Sequence, residues 1–163
     1  MMMKKHTISI LVNDQPGVLQ RVAGLFGRRG FNIDSITVGE SEEQGLSRMV
    51  IVTSGDDKTV EQISKQLYKL IDVIKVVDLS EHPMVDRELA LLKVSAEAEK
   101  RAEVLSVVDT FRAAIVDIGS NTMIVQVVGD STKVDAMTEL LKPYGIKEIS
   151  RTGVTAMTRG PVK

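Results

Sequence analysis

Thr7-Ile8-Ser9-Ile10-Leu11-Val12-Asn13-Asp14-Gln15-Pro16-Gly17-Val18-Leu19 changes its hydrophobic period midway. Ile8, Ile10 and Val12 alternate with Thr7, Ser9 and Leu11, the two-residue repeat of a strand. Asn13 to Gly17 breaks that repeat with turn-forming residue types. Pro16 suits the first turn of a following helix, where its missing N–H has no intrahelical partner. Val18, Leu19, Val22, Leu25 and Phe26 then recur at helical spacing, and Gly30 supplies a C-terminal stop.

Downstream of this strand-turn-helix the pattern predicts a strand over 31–40 and another over 46–53, separated by the Ser41 to Gly45 turn. Ser54-Gly55-Asp56-Asp57 is a loop, and Val60, Ile63, Leu67 and Leu70 mark a second helix capped by Asp57 or Thr59. Val73 to Leu79 completes a β-α-β-β-α-β order, the split βαβ unit of ferredoxin-like domains. The order then returns. A strand falls around Leu89 to Val94, a helix on Val104, Leu105, Val108 and Phe111, and strands on Ala114 to Ile118 and Thr122 to Gly129. A helix on Val134, Met137, Leu140 and Leu141 stops at Pro143 and Gly145, and a last strand runs from Ile146 to about Thr158. The expected class is α+β, as two tandem ferredoxin-like βαββαβ domains. Residues 1–79 form the first, 80–86 a linker around Pro83, and 87–163 the second.

Composition excludes several functions. The 163 residues are 43% hydrophobic and 26% charged, an ordinary globular mix. Basic and acidic residues number 10 each over 1–79, and 11 against 12 over 80–163, so neither half offers a nucleic-acid or anionic-membrane footprint. There is no Cys, which removes disulfides, thiolate metal sites and thiol nucleophiles. No apolar run exceeds four residues, and no long apolar stretch follows the basic Met1-Met2-Met3-Lys4-Lys5 start. The expectation is a cytoplasmic protein.

Catalytic signatures are absent from the sequence. Of two His, His6 precedes the first strand and His82 lies in the linker, neither at a triad-like spacing from Ser or a carboxylate. There is no Gly-x-Gly-x-x-Gly and no phosphate loop. The third strand lacks the aromatics on which RNA-binding sheets stack bases. No metal ligand set is evident. The turn from Asn13 to Leu19 is the chemical feature that remains. Helix N-terminal N–H groups at the positive end of the dipole can hold a carboxylate. Asp14 either caps those groups or accepts from an ammonium, and an α-amino acid carries both charges on adjacent atoms. Gly24 and Gly27 thin one side of the helix for close approach, by its own sheet or by a second copy.

From about Thr7 to Gly160 the chain resembles the small regulatory subunit of acetolactate synthase, also called acetohydroxyacid synthase. The resemblance rests on Asp14-Gln15-Pro16-Gly17-Val18-Leu19, on the block from Arg21 to Gly30 with Phe31-Asn32-Ile33, and on Ser35-Ile36-Thr37-Val38-Gly39. It continues through Leu46-Ser47-Arg48-Met49, Lys65 to Val73, Arg87 to Val94, Phe111-Arg112 and Arg151-Thr152-Gly153. It implies an N-terminal ACT domain, the ferredoxin-like amino-acid sensor, followed by a C-terminal ferredoxin-like domain. It implies a homodimer with effector sites between paired ACT domains, and association with a separate catalytic subunit that uses thiamine diphosphate, Mg²⁺ and FAD. The small subunit would have no catalytic role and no cofactor of its own. It would raise the partner's activity and impose feedback inhibition by valine, in branched-chain amino-acid biosynthesis.

Carried over position by position, Asp14 matches a family site that is Asn or Asp and would face the effector's ammonium. Gly17, Val18 and Leu19 would offer backbone N–H groups or close approach, and Asn32 and Ile33 would come from across the dimer interface. Val18, Leu19 and Ile33 would form an apolar wall for an aliphatic side chain. The alternative is a free-standing tandem-ACT amino-acid sensor with no acetolactate synthase partner.

Overall fold

The computed structural model describes residues 4–161. Met1, Met2 and Met3 of the basic start, and Val162 and Lys163 of the expected second domain, lie outside the described residues. The elements are β1 (Lys4–Asn13), α1 (Val18–Arg28), β2 (Ile33–Glu40), β3 (Leu46–Gly55), α2 (Asp57–Leu67) and β4 (Val73–Asp78). Then come β5 (Met84–Ser95), α3 (Arg101–Thr110), β6 (Ala114–Ile118), β7 (Thr122–Gly129), α4 (Ser131–Leu141), β8 (Ile146–Arg151) and β9 (Thr155–Thr158). The β-α-β-β-α-β order therefore occurs twice, in an α+β chain. The antiparallel sheet orders are β2-β3-β1-β4 and β6-β7-β5-β8.

The chain divides into two compact units. One runs to Val85 and resumes at Val154; the other is Asp86–Gly153. The expected second domain, 87–163, thus differs from this division in where residues from Val154 onward are grouped. The expected last strand over 146–158 is two strands, parted where Gly153 takes φ +87°. The expected linker over 80–86 is shorter than read: Leu79–Glu81 is a turn of 3₁₀ helix and β5 already begins at Met84.

In the first unit Ile8, Ile10 and Val12 of β1 meet Met49 and Ile51 of β3 under α1 and α2. The helices contribute Val18, Val22, Leu25 and Phe26, and Val60, Ile63 and Leu67. Val50 and Val52 alternate with Met49 and Ile51, so they face the other way. There they pack with Leu79, Val154 and Ala156. β3 is therefore buried on both faces, which is why Met49-Val50-Ile51-Val52 is an unbroken apolar run. In the second unit Ala90, Leu92 and Val94 join Met123, Val125 and Val127 beneath Val104, Val108, Val134, Met137 and Leu141.

The helix ends have local causes. Gly30, at φ +72°, sits just past α1, with Phe31 N–H donating to Phe26 C=O at 2.9 Å and Gly30 N–H to Gly27 C=O at 3.1 Å. The Phe26 and Phe31 rings meet edge to face, 6.4 Å apart, completing a Schellman stop. α2 is capped by Asp56, which accepts from Thr59 N–H at 2.8 Å, rather than by Asp57 or Thr59. Pro16 lies ahead of α1 instead of in its first turn, because Gly17 occupies the N-cap at φ +86°.

Candidate functional site

The turn from β1 into α1 is held from three directions. Asn13 N–H donates to Asp72 C=O, and Asp14 N–H donates to Gly45 C=O, both at 2.9 Å. Val18 N–H reaches back to Gln15 C=O at 3.3 Å. With Pro16 second and Gly17 third at φ +86°, ψ −6°, this is a type II turn, whose third position favours glycine. The turn aims the start of α1 outward.

No side chain caps α1, and its first turn holds no acidic residue. Asp14 is exposed and is not the cap, so the capping alternative for that residue falls away. Arg21 N–H closes the first helical bond to Gly17 C=O at 3.0 Å. Among the described residues, the Leu19 and Gln20 N–H groups have no acceptor. Two open donors at a positive helix end, beside a carboxylate, suit a zwitterion.

Asp14, Gly17, Val18 and Leu19 are thus brought together. Val18 is 3% exposed and belongs to the core, so it offers only its backbone. Leu19, 46% exposed, is the apolar side chain of the turn that remains free. Asn32 and Ile33 lie elsewhere. Ile33 pairs with Thr53, which pairs with His6, whereas Asn13 pairs with Leu46. From His6 to Asn13 the strand advances about 23 Å at its usual rise. Within one chain the two halves of the predicted site therefore occupy opposite ends of the sheet. Asn32 Nδ2 donates to Asp34 Oδ1 at 2.6 Å, and Ile33 packs partly against the core.

The turn also has a guanidinium that the sequence reading did not assign to it. Arg21 Nε and Nη2 both lie 2.8 Å from Asp72 Oδ2. A Cβ on Gly17 would meet Arg21 Nη1 at 2.9 Å. Arg21 and Asp72 are 51 residues apart, and no spacing announces the pair.

His6 lies within β1 rather than ahead of the first strand, 3% exposed, with Nδ1 3.1 Å from Asp78 Oδ2 and Nε2 3.6 Å from Asp57 Oδ1. The antiparallel pairing of β1 with β4, and the start of α2, bring these carboxylates in. Asp78 also accepts from Ser80 N–H at 3.0 Å. Among the described residues no three His, Asp or Glu side chains converge as metal ligands, and no helix is long and apolar enough to cross a membrane.

Two family models cover most of the chain. Residues 8–75 match the acetohydroxyacid synthase small subunit-like ACT domain, and residues 87–160 match the small subunit of acetolactate synthase. A protein of Methanothermobacter thermautotrophicus described as a probable acetolactate synthase small subunit is 58% identical over 156 residues, 95% of this chain and 93% of that one. This chain belongs to the acetolactate synthase small-subunit family. The Mycolicibacterium smegmatis acetolactate synthase small subunit is 49% identical over 96% of this chain and 92% of its own length. The crystal structure of the small subunit from Thermotoga maritima superposes with a TM-score of 0.88 at 49% identity, covering 98% of this chain and 99% of that one. The first matched segment ends at residue 75 and the second at 160, so the second model also spans the returning β9.

Proposed function

We propose that this chain is a regulatory subunit of acetolactate synthase. It binds a separate catalytic subunit in the cytoplasm, raises its rate, and makes it sensitive to valine. Thiamine diphosphate, Mg²⁺ and FAD belong to that partner, and this chain holds no cofactor. The observation that carries the reading is the β1–α1 turn, with its open Leu19 and Gln20 N–H groups beside Asp14 in a chain of this family.

Two copies of the chain complete the site. Asn32 and Ile33 lie at the far end of the sheet from Asp14, so one effector meets both sets where a second chain runs the opposite way. The thin side of α1 supports such pairing. Gly27 has no atom within 4 Å of where a Cβ would project, and Gly24 meets only its neighbour Arg28. The glycines are thus not explained by packing within one chain. Valine bound between copies shifts the dimer only by its differential affinity for two states, typically about 1–3 kcal/mol of coupling.

The test is acetolactate formation by the cognate catalytic subunit, with and without this chain, each with and without valine. A rise reversed by valine is expected. No rise with both proteins folded would favour the free-standing sensor. Gly17→Asp places a carboxylate where the effector's own should approach, at a position where φ +86° and Arg21 Nη1 already oppose a side chain. Loss of valine inhibition is expected, and unchanged valine sensitivity would mean that another turn holds the effector.

A further inference from the structure

We propose that Arg21 reads the carboxylate of the amino-acid effector and that Asp72 is its positioning residue. This rests on the effector site described above.

A purely structural ion pair would explain why Asp72, 8% exposed, has a cationic partner. It leaves the outer edge of the guanidinium unexplained. Both close contacts to Asp72 come from Nε and Nη2 and end on one oxygen, Oδ2. Among the described residues, Nη1 has no hydrogen-bond acceptor. That nitrogen stands 2.9 Å from where a Gly17 Cβ would be, beside the helix start whose Leu19 and Gln20 N–H groups are open. A planar guanidinium fixed on one edge presents its remaining donors in a set direction.

The charges agree with this placement. Asp14 by itself favours an ammonium and opposes a carboxylate. A cation one helical turn in from Gly17 restores attraction at the carboxylate end, and no acidic residue in the first turn of α1 cancels it. Asp72 offsets the charge of Arg21 on the far side while its backbone carbonyl anchors Asn13, at the other edge of the same turn. Asp72 thus ties the cation and the turn to one rigid point.

The experiment is isothermal titration of the full chain with L-valine and with L-valinamide, which lacks the carboxylate charge. Arg21→Gln alone would strand a buried carboxylate, so the decisive variant is Arg21→Gln with Asp72→Asn. Its preference for valine over valinamide is expected to fall by about ten- to hundredfold, the range for a hydrogen bond to a charged group, with valinamide affinity little changed. Arg21→Lys, which keeps the charge without the fork, should show a smaller fall. Retention of the wild-type preference by both variants would overturn this inference and leave the effector site standing. An equal loss of both ligands would also overturn it, reducing Arg21 to a support for the turn. Failure of the wild-type chain to bind valine would overturn the effector site itself.

Discussion

Single side chains here are governed by what lies opposite them. Arg48 grips Glu42 with two bonds, Nη1 to Oε2 at 2.7 Å and Nη2 to Oε1 at 3.2 Å. Those bonds first, and a backbone N–H second, hold the Glu42 carboxyl at about 2 rather than its ordinary 4.5. A depressed carboxylate stabilises the fold above its unfolded value and loses that contribution as pH falls toward its folded one. The stability gap between the wild-type chain and Glu42→Gln should be full near about pH 6 and shrink to a small remainder near about pH 2 in denaturant titrations. Glu88 is buried instead: 5% exposed, it is paired with Arg151, which also donates to Asp135 at 2.8 Å. Arg151→Met should cost about 3–5 kcal/mol by leaving a buried charge unpaired, read as a lower urea midpoint. At this scale the Asp14–Leu19 turn was legible, because Asp14, Pro16 and Gly17 fall within four consecutive residues and define it locally. The partners of Arg21 and His6 were not, because only the β1–β4 pairing and the chain's return bring Asp72 and Asp78 to them.

Helices and strands were legible where periodicity was clean. β6 and β7 fall on the residues expected, since Ala114 to Ile118 and Thr122 to Gly129 flank an evident turn. Ends were harder, because a cap depends on which of several polar residues takes the extended conformation. Asp56 does so at ψ 172°, one residue ahead of the expected Asp57. The end of α3 went unread for a related reason. Ala113 N–H bonds Val108 C=O at 2.9 Å and Arg112 N–H bonds Asp109 C=O at 3.1 Å, the same stop as in α1. Here Arg112, at φ +52°, holds the position that Gly30 fills in α1. Arg112→Gly should stabilise the chain by about 1 kcal/mol by removing left-handed strain, seen as a higher melting temperature. A fall would show that the Arg112 side chain contributes more than its backbone costs.

For the chain as a whole, the doubled β-α-β-β-α-β order was readable because each pass repeats the same switches of period. The ownership of the tail was not. Val154 to Thr158 alternates like any strand, and only Gly153 signalled that it starts afresh. The segment lies with the first unit, where Ser35 Oγ accepts from Val154 N–H at 3.2 Å and Thr37 Oγ1 donates to Val154 C=O at 3.1 Å. A chain ending at Gly153 should lose at least about 2 kcal/mol from uncovered Val50 and Val52 alone. Increased binding of a hydrophobic dye should accompany the lower stability, and unchanged stability and dye binding would mean that the segment covers nothing of consequence.

That returning segment also bears on the order in which a ribosome delivers the parts. β1 to β4 emerge early, yet the face that Val154 and Ala156 cover stays bare until residues 154–161 have been made. The intervening unit, Asp86–Gly153, is one continuous stretch whose core residues are all made by then. The unit translated second can therefore gather its own core first, while the first waits with an apolar face open to chaperones and to other nascent chains.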